Sequence, residues 1–123
     1  FRFDCNFKIS SIFKLIDSSD IPKNIKQNIK LYQPVLLNRY RRKYFQSFDK
    51  NYRITIDKNL SYYKINKHTN NFLNKSVDHL SKVVELKYHS SKDYYAEAIV
   101  RSLPFRLNKN SKYVNGLELT TMF

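Results

Sequence analysis

Apolar and polar residues alternate with a period of two in some stretches of this chain and recur at helical spacing in others, a mixture that predicts strands and helices in one α+β domain. The clearest strand is Lys82-Val83-Val84-Glu85-Leu86-Lys87-Tyr88-His89. Side chains of an extended chain alternate between faces, so Val84, Leu86 and Tyr88 point one way and Val83, Glu85 and Lys87 the other. One side is ordinary core. The other sets a carboxylate beside an ammonium in a segment too apolar for a loop, and is either a solvated sheet face or the wall of a polar cavity.

The same reading runs along the rest of the chain. Phe1 to Lys8 alternates and suggests a short strand, and Ile12, Phe13, Leu15 and Ile16 suit a helical turn or two. Pro22 opens a helix to about Tyr32, with Ile25, Ile29 and Tyr32 inward and Lys23, Lys26, Gln27 and Lys30 outward. A long strand follows Pro34, over Val35–Phe45, and one face of it sets Arg42 among Asn38, Tyr40 and Tyr44. Asp49-Lys50-Asn51 makes a turn, and Tyr52–Asp57 returns with Tyr52, Ile54 and Ile56 toward the core and Arg53, Thr55 and Asp57 on the polar side, giving a β-hairpin. Tyr62–Ile65 extends that sheet or starts another short strand. Asn66–Ser81 reads as a long connection. Ser90-x-x-Asp93 resembles a capping box for a helix carrying Tyr95, Ile99 and Leu103 on one side and closed by Pro104. A helix starting near Ser111 would aim backbone N–H groups and Lys112 at an anion.

Composition narrows the chemistry. The 123 residues suit one domain, read as a leading segment over 1–33 and a sheet-forming part over 34–123. The net charge of +13 points to a polyanionic partner. The wealth of Lys, Asn, Ile and Tyr also looks like an AT-rich coding sequence, so weight goes to cations at strand-alternating positions rather than to lysines in general. The single Cys5 forms no internal disulfide, and no run approaches the roughly 20 apolar residues of a membrane span. The chain opens on Phe1 rather than Met and is expected to be a fragment or a processed piece. With one glycine, phosphate-cradling loops are excluded; no catalytic triad or zinc-ligand spacing is present, and His68, His79 and His89 read as surface residues. What remains is Arg42, Arg53, Glu85 and Lys87 on the polar faces of strands, the makings of a basic tunnel with a metal site.

The runs Tyr40-Arg41-Arg42-Lys43-Tyr44-Phe45, Arg53-Ile54-Thr55-Ile56-Asp57-Lys58-Asn59-Leu60, Val84-Glu85-Leu86-Lys87-Tyr88 and Ser111-Lys112-Tyr113-Val114-Asn115-Gly116 resemble, in that order, the C-terminal half of the VTC polyphosphate polymerase domain, a member of the triphosphate tunnel metalloenzymes. The resemblance covers roughly Pro34 to Leu117. It implies an antiparallel β tunnel with flanking helices, of which this chain holds half, and transfer of the terminal phosphate of ATP to a growing polyphosphate chain. Carried over, Arg42, Arg53 and Lys112 act on the reacting phosphates, Lys87, Lys109 and Ser111 join them in binding phosphate, and Glu85 binds Mn²⁺ or Mg²⁺. The family's N-terminal Glu-x-Glu-x-Lys strand is not found here, so the implied partners are ATP, polyphosphate, and either the missing half-domain or a membrane-protein partner. The implied location is the cytoplasm, at a membrane only by way of such a partner. Two other classes stay open: a non-catalytic polyphosphate or inositol-phosphate binding module, which would not need Glu85, and a basic nucleic-acid-binding protein, disfavoured because the strand aromatics alternate like core rather than like a stacking platform.

Overall fold

The computed structural model describes residues 7–73 and 75–121. Within them run α1 (Ile9–Ser18), α2 (Lys23–Lys30), β1 (Leu36–Gln46), β2 (Tyr52–Lys64), β3 (Lys75–Tyr88), α3 (Asp93–Arg101) and α4 (Lys112–Thr121), with a 3₁₀ turn at Ser90–Lys92 ahead of α3. The strands form one antiparallel sheet in the order β1-β2-β3. The architecture is α+β as expected, and the sheet among the described residues is open rather than wrapped into a tunnel. The strand expected over Phe1–Lys8 falls almost wholly outside the described residues.

The β1-β2 hairpin turns where the polar cluster predicted it. Asp49 Oδ1 accepts from the backbone N–H of Asn51 at 3.1 Å, and Lys50 takes a positive φ of 61°. β2 then runs well beyond Asp57, and Tyr62–Lys64 is its continuation. A bulge at Asn59, whose φ is 55°, shifts the register between Arg39↔Ser61 and Arg41↔Lys58. An extra residue in a strand exchanges its faces, so Leu60 and Tyr62 join Thr55 and Asp57 on one side.

On that side lies α4, packed across all three strands. Its Gly116 makes the close approach possible: a Cβ there would stand 2.6 Å from Leu36 Cδ2 and 2.6 Å from Tyr62 Cδ1. The burial therefore differs from the expectation for β2. Thr55 and Asp57 are 2% and 0% exposed, whereas Ile54 and Ile56, assigned to the core side, are only half-buried. On the opposite face, α3 and the segment after it leave a cavity of about 410 Å³ lined by Ile54, Val84, Leu86, Val100, Leu103 and Leu107, among others, and Tyr63 meets the ring of Phe72 edge-on at 5.9 Å.

β3 begins at Lys75, inside the stretch read as a connection. Its first half hides because Val77 stands alone between Ser76 and Asp78, and the register then slips between Lys58↔Lys82 and Leu60↔Asp78. Asp78 Oδ1 holds the slip by accepting from the N–H groups of Leu80 and Ser81 at 3.0 and 2.8 Å. Two other local readings are corrected. His89, not Ser90, caps the 3₁₀ turn through Nδ1, which accepts from Ser91 N–H at 3.3 Å, and α3 starts only at Asp93. α2 ends at Lys30, leaving Tyr32 75% exposed. Lys26, expected in solvent, donates to the carbonyls of Asp17, in the last turn of α1, and of Ser19, its C-cap, 2.7 and 2.6 Å away, while Lys30 pairs with Asp17 at 2.6 Å. Cations at a helix C-terminus oppose its dipole, and here they clasp the α1-α2 pair together.

Candidate functional site

The sheet register builds the site. Arg42, Asp57 and Val83 stand directly opposite one another across the three strands, next come Tyr44, Thr55 and Glu85, then Gln46, Arg53 and Lys87. Directly opposed residues of an antiparallel sheet share a face. Arg42, Arg53, Glu85 and Lys87 thus occupy one surface, as the alternation predicted, and it is the surface on which α4 lies.

Its centre is a residue the sequence reading left out of the site. Asp57 accepts from Arg42 Nε at 2.6 Å and Nη2 at 2.7 Å in a two-pronged bond, and Lys112 Nζ reaches Asp57 Oδ2 at 2.7 Å. The Asp57 side chain is 1% exposed, those of Arg42 and Lys112 22% and 18%. Two cations share one carboxylate, so the cluster keeps one positive charge. A guanidinium has five N–H donors and an ammonium three; Asp57 takes two of the former and one of the latter, leaving donors for an incoming anion. Aromatic faces hold the cations as well: the Arg42 guanidinium carbon is 5.0 Å from the Tyr40 ring centroid and 5.7 Å from that of Tyr44, and Lys112 Nζ is 5.2 Å from Tyr40. The bonds from Arg42 hold the Asp57 carboxyl below its usual range, against the desolvation that raises it, with Lys112 adding to the effect. Those same bonds raise the Arg42 guanidinium further above its ordinary value, with help from Tyr44.

Lys112 reaches this point because α4 starts where the sequence suggested. Ser111 caps it, its hydroxyl accepting from Val114 N–H at 3.3 Å and its carbonyl from Asn115 N–H at 2.9 Å. The cap uses one lone pair of the Ser111 hydroxyl and leaves its O–H free to donate. Lys109 lies exposed in the segment before it. Further along the sheet, Arg53 and Lys87 border an open cleft of about 340 Å³ with Gln46, Lys50 and His89. Glu85 pairs with Lys87 at 3.3 Å, the two side chains 40% and 51% exposed. Between Glu85 and Tyr44, the buried Thr55 Oγ1 finds no hydrogen-bond partner among the described residues, which is costly unless something else supplies one.

No group of three or more His, Cys, Asp or Glu able to hold a metal exists among the described residues, and His68, His79 and His89 are exposed as expected. Nor is any helix among the described residues long and apolar enough to cross a membrane. The signal that could have found Asp57 was present in the alternation Arg53-x-Thr55-x-Asp57, which put all three on the side of the site. A family profile described as VTC domain matches residues 14–121, from within α1 to the end of α4. No curated protein and no solved structure matches the chain.

Proposed function

The chain belongs to the VTC domain family, and from that premise we propose that it forms the phosphate-gripping sheet of a polyphosphate polymerase that uses ATP with Mn²⁺ or Mg²⁺. The observation that carries this reading is the convergence of Arg42 and Lys112 on buried Asp57, on the same face as Arg53, Glu85 and Lys87. In the reaction the bond from the γ-phosphorus of ATP to its bridging oxygen breaks, a terminal polyphosphate oxygen bonds to that phosphorus, and ADP leaves. Such transfers need alignment and charge neutralisation more than covalent help from the protein. Arg42 and Lys112 keep N–H donors not spent on Asp57 for phosphate oxygens, Arg53 and Lys87 supply a second hold at the cleft, and Lys109 stands near the start of α4.

The donor set fits a hard divalent cation held jointly with substrate. Glu85 is a part-exposed carboxylate with one loose partner, whereas Asp57 is locked, and Mg²⁺ is commonly bound through one or two carboxylates plus phosphate oxygens. When bound beside Glu85, such an ion would neutralise charge on the transferred phosphoryl group. Enclosing a phosphate chain requires more strands than the described residues contribute, in keeping with a missing half-domain supplied from outside this stretch.

The non-catalytic binding module is the second reading, favoured by the absence, among the described residues, of any group of three or more His, Cys, Asp or Glu able to hold a metal. One substitution separates the two. In a protein that turns over ATP with Mn²⁺, Glu85→Gln should lose about 10²-fold in rate, the size of one strong electrostatic contact to a transition state, while metal-free polyphosphate binding holds or tightens because a repelling carboxylate is gone. Unchanged metal-dependent turnover would return Glu85 to a solvated strand position and leave the binding module.

A further inference from the structure

The face of the sheet turned away from the site is the more positive of the two. Arg41, Lys58 and Lys82 stand directly opposite one another across β1, β2 and β3, Arg39 lies on one side of that row, opposite Ser61, and Lys43 on the other, opposite Ile56. All five are exposed, and none makes an ion pair among the described residues, although ion pairs form elsewhere in the chain. The carboxylates of the described strands, Asp57, Asp78 and Glu85, fall on the other face by the same register. Like charges directly opposite in a sheet repel, with Cβ atoms about 4.5–5.5 Å apart. A row of three flanked by two more is a costly arrangement with nothing in the sheet to relieve it.

We propose that this belt of Arg39, Arg41, Lys43, Lys58 and Lys82 is a second binding surface for linear polyphosphate, separate from the Asp57 cluster. The ligand rests on the functional reading above; the surface itself does not. Three features favour a bare phosphate chain over other polyanions. The belt is small, about two strand spacings or 10 Å across and roughly 13 Å along β1, and only a polymer charged at every unit meets five cations in so short a span. Single-stranded nucleic acid binds on aromatic platforms, and the residues at these levels of the face are Ser61, Ile56, Val77 and Val84. A membrane presents a plane, whereas this sheet is bent by register slips at the belt itself, in β2 and β3. Arg106, also exposed, lines the same cavity as Lys82.

The experiment titrates the whole chain with tripolyphosphate and with long-chain polyphosphate, for the wild type and for Arg41→Gln/Lys58→Gln/Lys82→Gln. Tripolyphosphate is short enough for the Asp57 cluster alone, so its affinity should be unchanged, while long-chain affinity falls about tenfold or more and its log–log salt slope shrinks by about 2, at roughly 0.7 per lost phosphate contact on a flexible strand. Relieving the like charges leaves the melting temperature equal or higher, which shows that folding is intact. Equal losses for both ligands, or no loss for the long chain, would overturn the proposal. A wild type that binds the long chain but not tripolyphosphate sinks the site reading and spares the belt. Belt-dependent binding of single-stranded DNA or of anionic phosphatidylserine vesicles, without binding of long polyphosphate, gives the surface to another partner and ends the proposal as stated.

Discussion

A carboxylate at the centre of a site proposed to grip polyanions looks misplaced until its geometry is considered. Asp57 subtracts one charge, but it fixes a flexible guanidinium by two bonds and draws an ammonium from another element onto the same oxygen pair. A bystander carboxylate and a positioning one predict opposite signs for Asp57→Asn. If Asp57 only dilutes positive charge, removing it tightens polyphosphate binding; if it orients Arg42 and Lys112, the amide loses acceptor capacity, turns N–H donors on two cations, and binding weakens despite the added net charge. The second outcome is expected, with Kd rising about tenfold, the scale of one charged hydrogen bond. Stability should fall by about 3 kcal/mol, as for breaking a buried pair. The pH dependence has a definite sign. The folded pKa of Asp57 is lowered, so its stabilisation is present above the unfolded carboxyl value of about 3.9 and is lost as pH falls through the lower folded value. Melting curves of wild type and Asp57→Asn should therefore converge below about pH 4; a gap that stays constant into acid would mean that ionised Asp57 is not what stabilises the fold.

At the scale of elements, the site depends on how closely α4 lies on the sheet, and that closeness depends on Gly116. An added Cβ would meet Leu36 Cδ2, the tip of a flexible side chain, and Tyr62 Cδ1, an inner atom of a ring that is 2% exposed. Gly→Ala inside a helix gains up to about 1 kcal/mol in propensity, while overpacking a core costs about 1–3 kcal/mol. The ring cannot swing away cheaply, so Gly116→Ala should be net destabilising and should weaken polyphosphate binding by lifting Lys112 off Asp57. A variant more stable than the wild type in urea titration, with binding retained, would show that α4 floats freely over the sheet. The same packing explains what could be read from sequence. Period-two alternation is local, so β1, most of β2, the turn at Asp49 and the shared face of Arg42, Arg53, Glu85 and Lys87 were all legible. The burial of Thr55 and Asp57 was not, because it depends on a helix arriving from far along the chain, and polar residues on a strand default to the solvent side. The first half of β3 was hidden by its own slip at His79–Ser81, which breaks the parity that alternation needs. The cationic row Arg41-Lys58-Lys82 stands just short of both slips, in the same unbroken register as Arg42-Asp57-Val83, and was missed because alternation within one strand does not say which residues of three strands stand opposite one another.

For the whole molecule, charge sets two responses to salt that run in opposite directions. The chain carries a net +13, and in the sheet its unpaired cations crowd on one face while the carboxylates gather on the other. Net charge far from zero destabilises a compact state by self-repulsion, and salt screens exposed charges beyond a Debye length of about 10 Å at 0.1 M. The ion pairs that oppose this are mostly surface pairs worth little, and the one of consequence, at Asp57, is buried and screened less. Raising NaCl from about 0.01 M, where the Debye length is about 30 Å, to about 0.15 M should therefore raise the melting temperature. Over the same range polyphosphate affinity should fall steeply, since each cation–phosphate contact releases bound counterions whose return becomes easier in salt. The two effects come from the same charges, so they should also combine: polyphosphate bound as proposed would stabilise the fold by mass action, and its stabilising shift should be largest at low salt, where the empty protein is weakest. Melting curves at both salt concentrations, with and without long-chain polyphosphate, measure all four corners. A melting temperature that falls with salt in the absence of ligand would mean that favourable ion pairs outweigh repulsion across the molecule, and the cationic face would then no longer count as a strained surface waiting for an anion.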